Sequence, residues 1–180
     1  LIGCSDSRVD PQRVFGAGPG ELFVVRNVAG LVPPYQPDAH YHGTSAALEY
    51  AVRVLKVSRI VVLGHAQCGG IQAMVQGAPA EAREFVSSWM EIAKPILGTL
   101  SPDLPVPAAC EHCEKEVVRL SLSNLLNFPW IRDAVAHGSL SLHGFRFDVR
   151  SGVLAQLQGE TFKAVESATT LEPIQFASYI

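Results

Sequence analysis

Short apolar runs alternate along this chain with longer segments whose apolar residues recur at helical spacing. Continuous or β-branched apolar runs predict strands at residues 1–3, 21–26 and 59–64. Two further runs, at residues 139–149 and 153–158, flank the turn Arg-Ser-Gly and predict a β-hairpin. Because strands and helices alternate before the hairpin, we expect one α/β domain over residues 1–180, with a mostly parallel central sheet flanked by helices and an antiparallel edge strand.

Helix signals fill the segments between these runs. Asp10 followed by Pro11 predicts the N-cap and first residue of a short helix, and Thr44 predicts the cap of a helix over residues 45–55. The proline-rich segments at residues 31–43 and 101–110 predict a loop and a linker. The remaining predicted helices cover residues 68–77 (closed by Gly77), 80–97 (interrupted by Pro95), 111–126 and 129–138.

Composition narrows the class of protein. Hydrophobic residues make up 48% of the chain, which argues against disorder. No apolar run approaches the roughly 20 residues of a membrane span, and the formal charge of −3 comes without a cluster of Lys and Arg, so we expect no membrane span and no nucleic-acid partner. The four irregularly spaced cysteines favour a reducing compartment, either the cytoplasm or a stroma-like organelle, over secretion. Because the chain begins at Leu1 inside an apolar run, we expect the natural protein to continue upstream.

Metal-ligand side chains follow two of the predicted strands. Cys4 directly follows the first run, His65 directly follows the run at residues 59–64, and Cys68 begins the next predicted helix. In open α/β sheets, sites form beyond the carboxyl ends of the strands, where these side chains can meet. Two thiolates and an imidazole bind Zn²⁺ and leave a fourth position open, as catalytic zinc requires. Taken alone, the spacing also fits small buried cysteines and a hydrogen-bonded histidine.

Asp6 and Arg8 lie just beyond Cys4. An arginine can hold a carboxylate with two hydrogen bonds, and a carboxylate held in this way keeps a low pKa and can accept a hydrogen bond from a metal-bound water. The same two residues also fit a surface ion pair of little energetic value, or a local turn. A water on the metal would supply a hydroxide nucleophile, so we expect a small electrophile as the substrate. The chain has no glycine motif for binding nucleotide phosphates.

Several segments together resemble a known family. CSDSRVDP, PGELFVVRNVAGLVPP, LEYAVRVLKV and IVVLGHAQCGG strongly resemble the β-class carbonic anhydrases, and CEKEVVRLSLSNLLNFPWIRDAV and LHGFRFDVRSGVL resemble the plant-type branch of that family. The resemblance covers most of residues 1–158. It implies a lyase that hydrates CO₂ reversibly to bicarbonate and a proton by means of a zinc-bound hydroxide. It also implies a homodimer or higher homo-oligomer, and an N-terminal helical arm that would precede Leu1.

The resemblance also implies roles for individual residues. The zinc ligands of the family are matched by Cys4, His65 and Cys68. In the catalytic pair, Asp6 would orient the zinc-bound hydroxide and Arg8 would hold Asp6 off the metal. The family's small apolar pocket for CO₂ is matched by Phe23, Val28 and Tyr50, with Tyr50 offered across the dimer interface. The N–H group of Gly69 would donate a hydrogen bond to a substrate oxygen.

Two other functions stay open for these residues. A hydrolase of carbon disulfide or carbonyl sulfide would use the same site. A zinc-stabilised dimerisation module would keep the metal without catalysis, although intact Asp6 and Arg8 argue against it. His40 and His42 in the proline-rich loop are either candidates for proton transfer or solvated loop histidines.

Two clusters at or near the start of the predicted helix at residues 111–126 have simple interpretations. The group Cys110, His112 and Cys113 is interpreted as structural rather than as a second metal site, because only three ligands cluster there. Acidic side chains favour the N-terminal turn of a helix, and this is the interpretation given to Glu111, Glu114 and Glu116.

Overall fold

A central β-sheet organises the molecule, of which a computed structural model describes residues 1–166. Its strands are β1 (Ile2–Cys4), β2 (Val25–Asn27), β3 (Arg59–His65), β4 (Ser141–Phe147), β5 (Leu154–Gln158) and β6 (Thr161–Ala164). They form one six-stranded sheet with the order β2-β1-β3-β4-β5-β6. The first four strands pair in parallel, while β5 and β6 continue the sheet as antiparallel strands. The predicted α/β class, parallel centre and antiparallel edge are therefore confirmed.

Helices connect and flank these strands. They are α1 (Pro11–Phe15), α2 (Gly43–Glu49), α3 (Gly69–Gln76), α4 (Val86–Met90), α5 (Lys94–Leu97), α6 (Val106–Leu125) and α7 (Pro129–Ala136). Asp10 caps α1 as predicted, because its side chain accepts hydrogen bonds from the N–H groups of Gln12 and Arg13. Gly77 ends α3, also as predicted. Within residues 1–166, no helix is both long enough and apolar enough to cross a membrane.

The start of α2 differs from the prediction. The helix begins at Gly43 with His42 in the cap position, so the assignment of Thr44 as the cap is wrong. The Thr44 hydroxyl instead accepts a hydrogen bond from Asn27 Nδ2 at 3.2 Å, which ties α2 to the end of β2. The helix then widens into a π-helical turn, Tyr50–Val54. Such turns are frequent at functional sites, and this one carries the predicted pocket residue Tyr50.

The long helix α6 begins more than a turn earlier than predicted. It starts at Val106, so the second half of the predicted linker at residues 101–110 is helical. Pro107 lies in the first turn, where its missing N–H costs no hydrogen bond and its fixed φ suits the helix. The interpretation of the acidic cluster as N-terminal is consequently wrong, because all three side chains lie beyond the first turn: Glu111, Glu114 and Glu116.

Three other elements differ from the prediction. The helix expected over residues 80–97 is broken into two 3₁₀ turns and the two short helices α4 and α5. Pro95 lies in the first turn of α5 rather than interrupting a helix. The strand expected over residues 21–26 is confined to β2, because the Glu21 carboxylate accepts a hydrogen bond from the Gly18 N–H at 2.7 Å and closes a turn there. The edge strand β6 was not predicted.

Two glycines allow α6 to pack closely on the sheet. Gly64 on β3 and Gly144 on β4 both face this helix. A Cβ atom would lie 2.6 Å from Val118 Cγ2 at Gly64 and 2.8 Å from Val118 Cγ1 at Gly144. Because no side chain intervenes, α6 approaches the sheet and brings Glu114 beside the end of β3. The helix contributes Val118 to one hydrophobic cluster and Val117 to the other.

Candidate metal centre

The carboxyl ends of β1 and β3 carry the side chains of the candidate centre. These strands are parallel neighbours, so Cys4 and His65 end at the same edge of the sheet. Cys68 occupies the cap position of α3, directly after β3. The structure brings the three residues together, since their ligand atoms lie within 4.8 Å of one another and all three are buried.

The donor set and its geometry fit zinc. The Sγ atoms of Cys4 and Cys68 are 3.8 Å apart, and two sulfurs bound at about 2.3 Å to one tetrahedral Zn²⁺ would be about 3.8 Å apart. The Nδ1–H of His65 donates to the Ala66 carbonyl at 2.9 Å, which leaves a lone pair on Nε2. This Nε2 atom is buried and has no hydrogen-bond partner within residues 1–166. A buried polar atom without a partner is costly, and a bound metal ion would satisfy it.

The turn after β2 shapes one wall of the centre. Gly30 has a φ of 63°, and a Cβ atom there would lie 3.2 Å from the backbone nitrogen of Cys4, so glycine is required by both conformation and space. The turn places Val28 against α3, where its Cγ1 atom would lie 2.8 Å from a Cβ added at Gly70. The indole of Trp89 donates a hydrogen bond to the Val28 carbonyl at 2.8 Å and holds the turn from α4. Val28 therefore lies beside the ligand-bearing end of α3.

The side chains of this candidate group shift one another's pKa values. A hydrogen bond from the Cys68 thiol holds the pKa of Cys4 well below its usual range, with a further contribution from His65, and the same contact together with burial raises the pKa of Cys68. Burial lowers the pKa of His65, but the negative charge of the neighbouring Cys4 thiolate acts in the opposite direction and the net shift is upward. The thiolate form favoured at Cys4 is the form that binds soft cations.

Arg8 holds the Asp6 carboxylate with two side-chain hydrogen bonds. Its Nε donates to Oδ1 at 2.9 Å and its Nη2 donates to Oδ2 at 2.6 Å, while the backbone N–H of Arg8 also donates to Oδ1 at 2.9 Å. These hydrogen bonds keep the pKa of Asp6 well below its usual range. Each carboxylate oxygen can accept two hydrogen bonds, so Oδ2 keeps one position for a further donor. The predicted pair therefore forms a fixed, ionised acceptor next to Cys4.

Arg26 secures the loop that carries this pair. Its Nε donates to the Cys4 carbonyl at 2.9 Å, and its Nη2 donates to the carbonyls of Asp6 at 2.7 Å and Val9 at 2.9 Å. Sequence reasoning did not single out this residue. The signal available was an arginine directly after the apolar residues 22–25 of the predicted strand.

A buried ion pair at the end of β3 was also missed. Arg146 Nη2 donates to Glu114 Oε2 at 2.8 Å, and the backbone N–H of Gln67 donates to Glu114 Oε1 at 2.6 Å. The carbonyl of Gln67 accepts a hydrogen bond from Arg8 Nη2 at 2.9 Å. The loop between His65 and Cys68 is thus held on both sides by charged side chains.

The predicted aromatic pocket residues lie at the surface of this chain. The rings of Phe23 and Tyr50 stack with centroids 6.2 Å apart, and these residues are 40% and 52% exposed. Gly69 is the first residue of α3 and has open space where a Cβ would lie. The structure therefore gives a paired, exposed aromatic surface in addition to Val28 beside α3.

The two secondary histidine and cysteine clusters differ from the main group. Among residues 1–166, Cys4, His65 and Cys68 are the residues whose metal-binding atoms converge, and Cys113 instead packs in the core. The loop histidines contact an acid, since His42 Nε2 lies 2.6 Å from Asp38 Oδ1 and His40 Nδ1 lies 3.5 Å from the same oxygen.

Comparison with known proteins gives matches over most of the chain. A family model described as carbonic anhydrase matches residues 1–154. The chloroplastic β-carbonic anhydrase 5 of Arabidopsis thaliana is 44% identical over 148 residues, which are 80% of this chain and 48% of that protein. The chain thus spans about half the length of this curated relative.

Solved structures match as well. The β-carbonic anhydrase CcaA superposes with a TM-score of 0.84 at 31% identity, covering 91% of this chain and 82% of that chain. A β-carbonic anhydrase of Sordaria macrospora, described as tetrameric, superposes with a TM-score of 0.72 at 31% identity and covers 87% of this chain and 78% of its own.

Proposed function

Because this chain belongs to the β-class carbonic anhydrase family, we propose that it catalyses the reversible hydration of CO₂ to bicarbonate and a proton, with zinc as its metal. One observation carries the proposal. The buried Nε2 atom of His65 has no hydrogen-bond partner within residues 1–166, in a residue grouped with the thiols of Cys4 and Cys68. An ionised acceptor, Asp6, lies on the adjoining loop.

The three ligand residues would hold the ion and leave its fourth position open. When bound, zinc supplies a Lewis acid that lowers the pKa of water toward neutrality and so provides a nucleophile for CO₂. The ligand residues prepare the site for it: Ala66 fixes the His65 tautomer, and Cys4 favours the thiolate.

Asp6 and Arg8 act on the attacking water. Asp6 presents a carboxylate oxygen that can accept a hydrogen bond and so orient this water toward CO₂. Arg8 occupies the other acceptor positions and holds the carboxylate away from the ligand group. The pKa of Asp6, held well below its usual range by this hydrogen bonding, keeps the acceptor ionised at neutral pH.

Apolar groups and one backbone donor would receive the substrate. An uncharged molecule such as CO₂ suits the side chain of Val28, and the Gly69 N–H at the start of α3 would donate to a substrate oxygen. We propose that the stacked Phe23 and Tyr50 complete this pocket in the partner subunit of a homodimer or higher homo-oligomer. Their joint exposure and the tetrameric state described for the Sordaria macrospora relative support this assembly.

We further propose that residues 1–180 form one catalytic domain that works in a reducing compartment. The free thiols of Cys4 and Cys68 need such an environment in order to bind metal. A chloroplast-like organelle fits the chloroplastic location of β-carbonic anhydrase 5 from Arabidopsis thaliana.

Oxygen-18 exchange between CO₂ and water tests the proposed reaction at chemical equilibrium. We expect the zinc-loaded wild type to catalyse the exchange, and Asp6→Asn to reduce the rate roughly 10- to 100-fold with zinc retained. Carbon disulfide hydrolysis is measured in parallel. Hydrolysis of carbon disulfide without oxygen-18 exchange would replace the proposed reaction by the sulfur chemistry, and zinc binding without either activity would favour a dimerisation module.

A further inference from the structure

We propose that Glu114 is a positioning residue of this site, which fixes the Gln67 peptide and, through it, the Asp6–Arg8 pair. This inference deepens the proposed function and rests on it for the activity measurements. Glu114 lies on α6, 47 residues from Gln67 in the chain. It acts through backbone and side-chain hydrogen bonds, without contact with the substrate.

Glu114 contacts the loop between His65 and Cys68 directly. Its Oε1 accepts the Gln67 N–H at 2.6 Å, while its Oε2 accepts from Arg146 Nη2 at 2.8 Å. The side chain of Glu114 is 5% exposed and that of Arg146 is 15% exposed. A carboxylate this deeply buried needs both partners, because an unpaired buried charge is strongly destabilising. One oxygen is therefore committed to the counter-charge and the other to the loop.

The loop adopts a strained backbone conformation at Gln67. Gln67 has a φ of 57°, in the left-handed region that residues other than glycine rarely adopt. Such a conformation costs free energy and persists where its surroundings hold it. Here the N–H of Gln67 is held by Glu114, and its carbonyl is held by Arg8 Nη2 at 2.9 Å. The strained residue lies between His65 and Cys68, so its orientation also sets the approach of Cys68.

Arg8 connects the Gln67 peptide to Asp6. The Nη2 atom of Arg8 donates to both the Gln67 carbonyl and Asp6 Oδ2. A displaced Gln67 peptide would remove one of these two acceptors and free the exposed Arg8 side chain to move. Asp6 would then lose its fixed orientation, although the side-chain hydrogen bonds of Glu114 go to Gln67 and Arg146 and not to Asp6. Arg8 is half-exposed, so it depends on such contacts for its position.

Two substitutions of Glu114 separate its two contacts. Glu114→Gln keeps an oxygen that can accept the Gln67 N–H but loses the charge that pairs with Arg146. Glu114→Leu loses both. The matched control is Glu116→Gln, which removes an ion pair with Arg119 from the same helix without touching the loop. Each protein is zinc-loaded, and CO₂ hydration is expressed per bound zinc.

Amide hydrogen exchange of Gln67 distinguishes a positioning role from a purely structural one, because an ion pair that only stabilises the protein would not change the exchange rate of this amide. In the wild type we expect this amide to be protected, because its hydrogen bond ends on a buried carboxylate. In Glu114→Leu we expect exchange at least roughly tenfold faster, with hydration per zinc reduced roughly 10- to 100-fold. Glu114→Gln should keep the protection and stay within about threefold of wild-type hydration, although its stability falls. Glu116→Gln should match the wild type in both measurements.

Equal hydration per zinc in wild type and Glu114→Leu would overturn the proposal, as would an unprotected Gln67 amide in the wild type. The latter measurement requires no variant to fold, so it can overturn the proposal even where Glu114→Leu is unstable. An inactive but zinc-loaded wild type would instead contradict the proposed function. In that case the exchange rates of Gln67 in the wild type and the two Glu114 variants still decide whether this residue holds the loop.

Discussion

The sulfur atoms of Cys4 and Cys68 lie 3.8 Å apart, although the two residues are separated by 64 positions in the chain. The parallel pairing of β1 with β3 and the cap position at the start of α3 bring them together. This separation is about the one that two thiolates adopt on a single tetrahedral zinc ion. The fold thus presents the sulfur pair at metal-binding distance, and the first prediction concerns this pair.

Cys68→Ala should abolish stoichiometric zinc binding, because two remaining protein ligands hold zinc poorly. It should also lower the thermal unfolding temperature, since metal binding stabilises the folded state. Zinc per chain is measured by mass spectrometry after dialysis, and unfolding by circular dichroism. Cys110→Ala is the matched control, because Cys110 is a half-buried cysteine outside the ligand group. If Cys68→Ala retained one zinc per chain, Cys68 would not be a ligand.

Arg8→Ala should reduce hydration per zinc roughly 10- to 100-fold, because Asp6 loses the hydrogen bonds that hold it in place. The pKa of Asp6 should rise toward its ordinary range once these bonds are gone. Arg8→Lys should also lose activity, because an ammonium group cannot make the two-pronged contact. Stopped-flow hydration at constant zinc content measures both, with the surface variant Arg132→Ala as control. An Arg8→Ala enzyme as fast as wild type would exclude the holding role.

Gly64→Ala should destabilise the protein by roughly 1–3 kcal/mol, because the added methyl group overpacks the contact between β3 and α6. The new Cβ atom would lie 2.6 Å from Val118 Cγ2 and 3.3 Å from the Glu114 carbonyl. Gly43→Ala is the matched control, since open space surrounds this position at the start of α2. Urea unfolding of both variants measures the difference. Equal stability of the two variants would contradict the close packing described for α6.

Lowering the pH should reduce the free energy of unfolding through protonation of His143 on β4. Burial, and then the charge of Arg59, lowers the pKa of His143 below its ordinary value. The unfolded chain therefore takes up this proton as the pH falls through about 6.5, while the folded chain resists it. The stability contributed by this group is complete above that pH and is lost below it.

The free energy of unfolding of the wild type should consequently fall more between pH 7.5 and 6.0 than that of His143→Gln. Urea titrations of zinc-loaded protein at both values of pH measure the two differences. Identical pH dependence of wild type and His143→Gln would show that the residue titrates equally in both states.

Local chemistry made much of the fold predictable from the sequence. Asp10 and Pro11 mark the start of α1, and the apolar runs before Cys4 and His65 mark two buried parallel strands. The local sequence was misleading where one residue type occurs in two kinds of structure. Pro107 indicates a linker as readily as the first turn of a helix, so α6 was predicted to start too late.

The sequence pattern does not show which residues that are distant in the chain come into contact. The convergence of Cys4, His65 and Cys68 could be anticipated, because each follows a strand or begins a helix at one edge of the sheet. The contact between Glu114 and Gln67 depends on how closely α6 packs over Gly64, which no periodicity reports. The stacking of Phe23 on Tyr50 likewise depends on the path of the loop between β2 and α2.

Stopped-flow CO₂ hydration as a function of zinc occupancy tests the central claim most directly. Metal-free protein is prepared under reducing conditions and reloaded stepwise, and zinc per chain is quantified in each sample. We expect hydration to rise in proportion to bound zinc and to reach its maximum at about one zinc per chain, as a single three-ligand catalytic site requires. Background hydration at full zinc occupancy would contradict the proposed function.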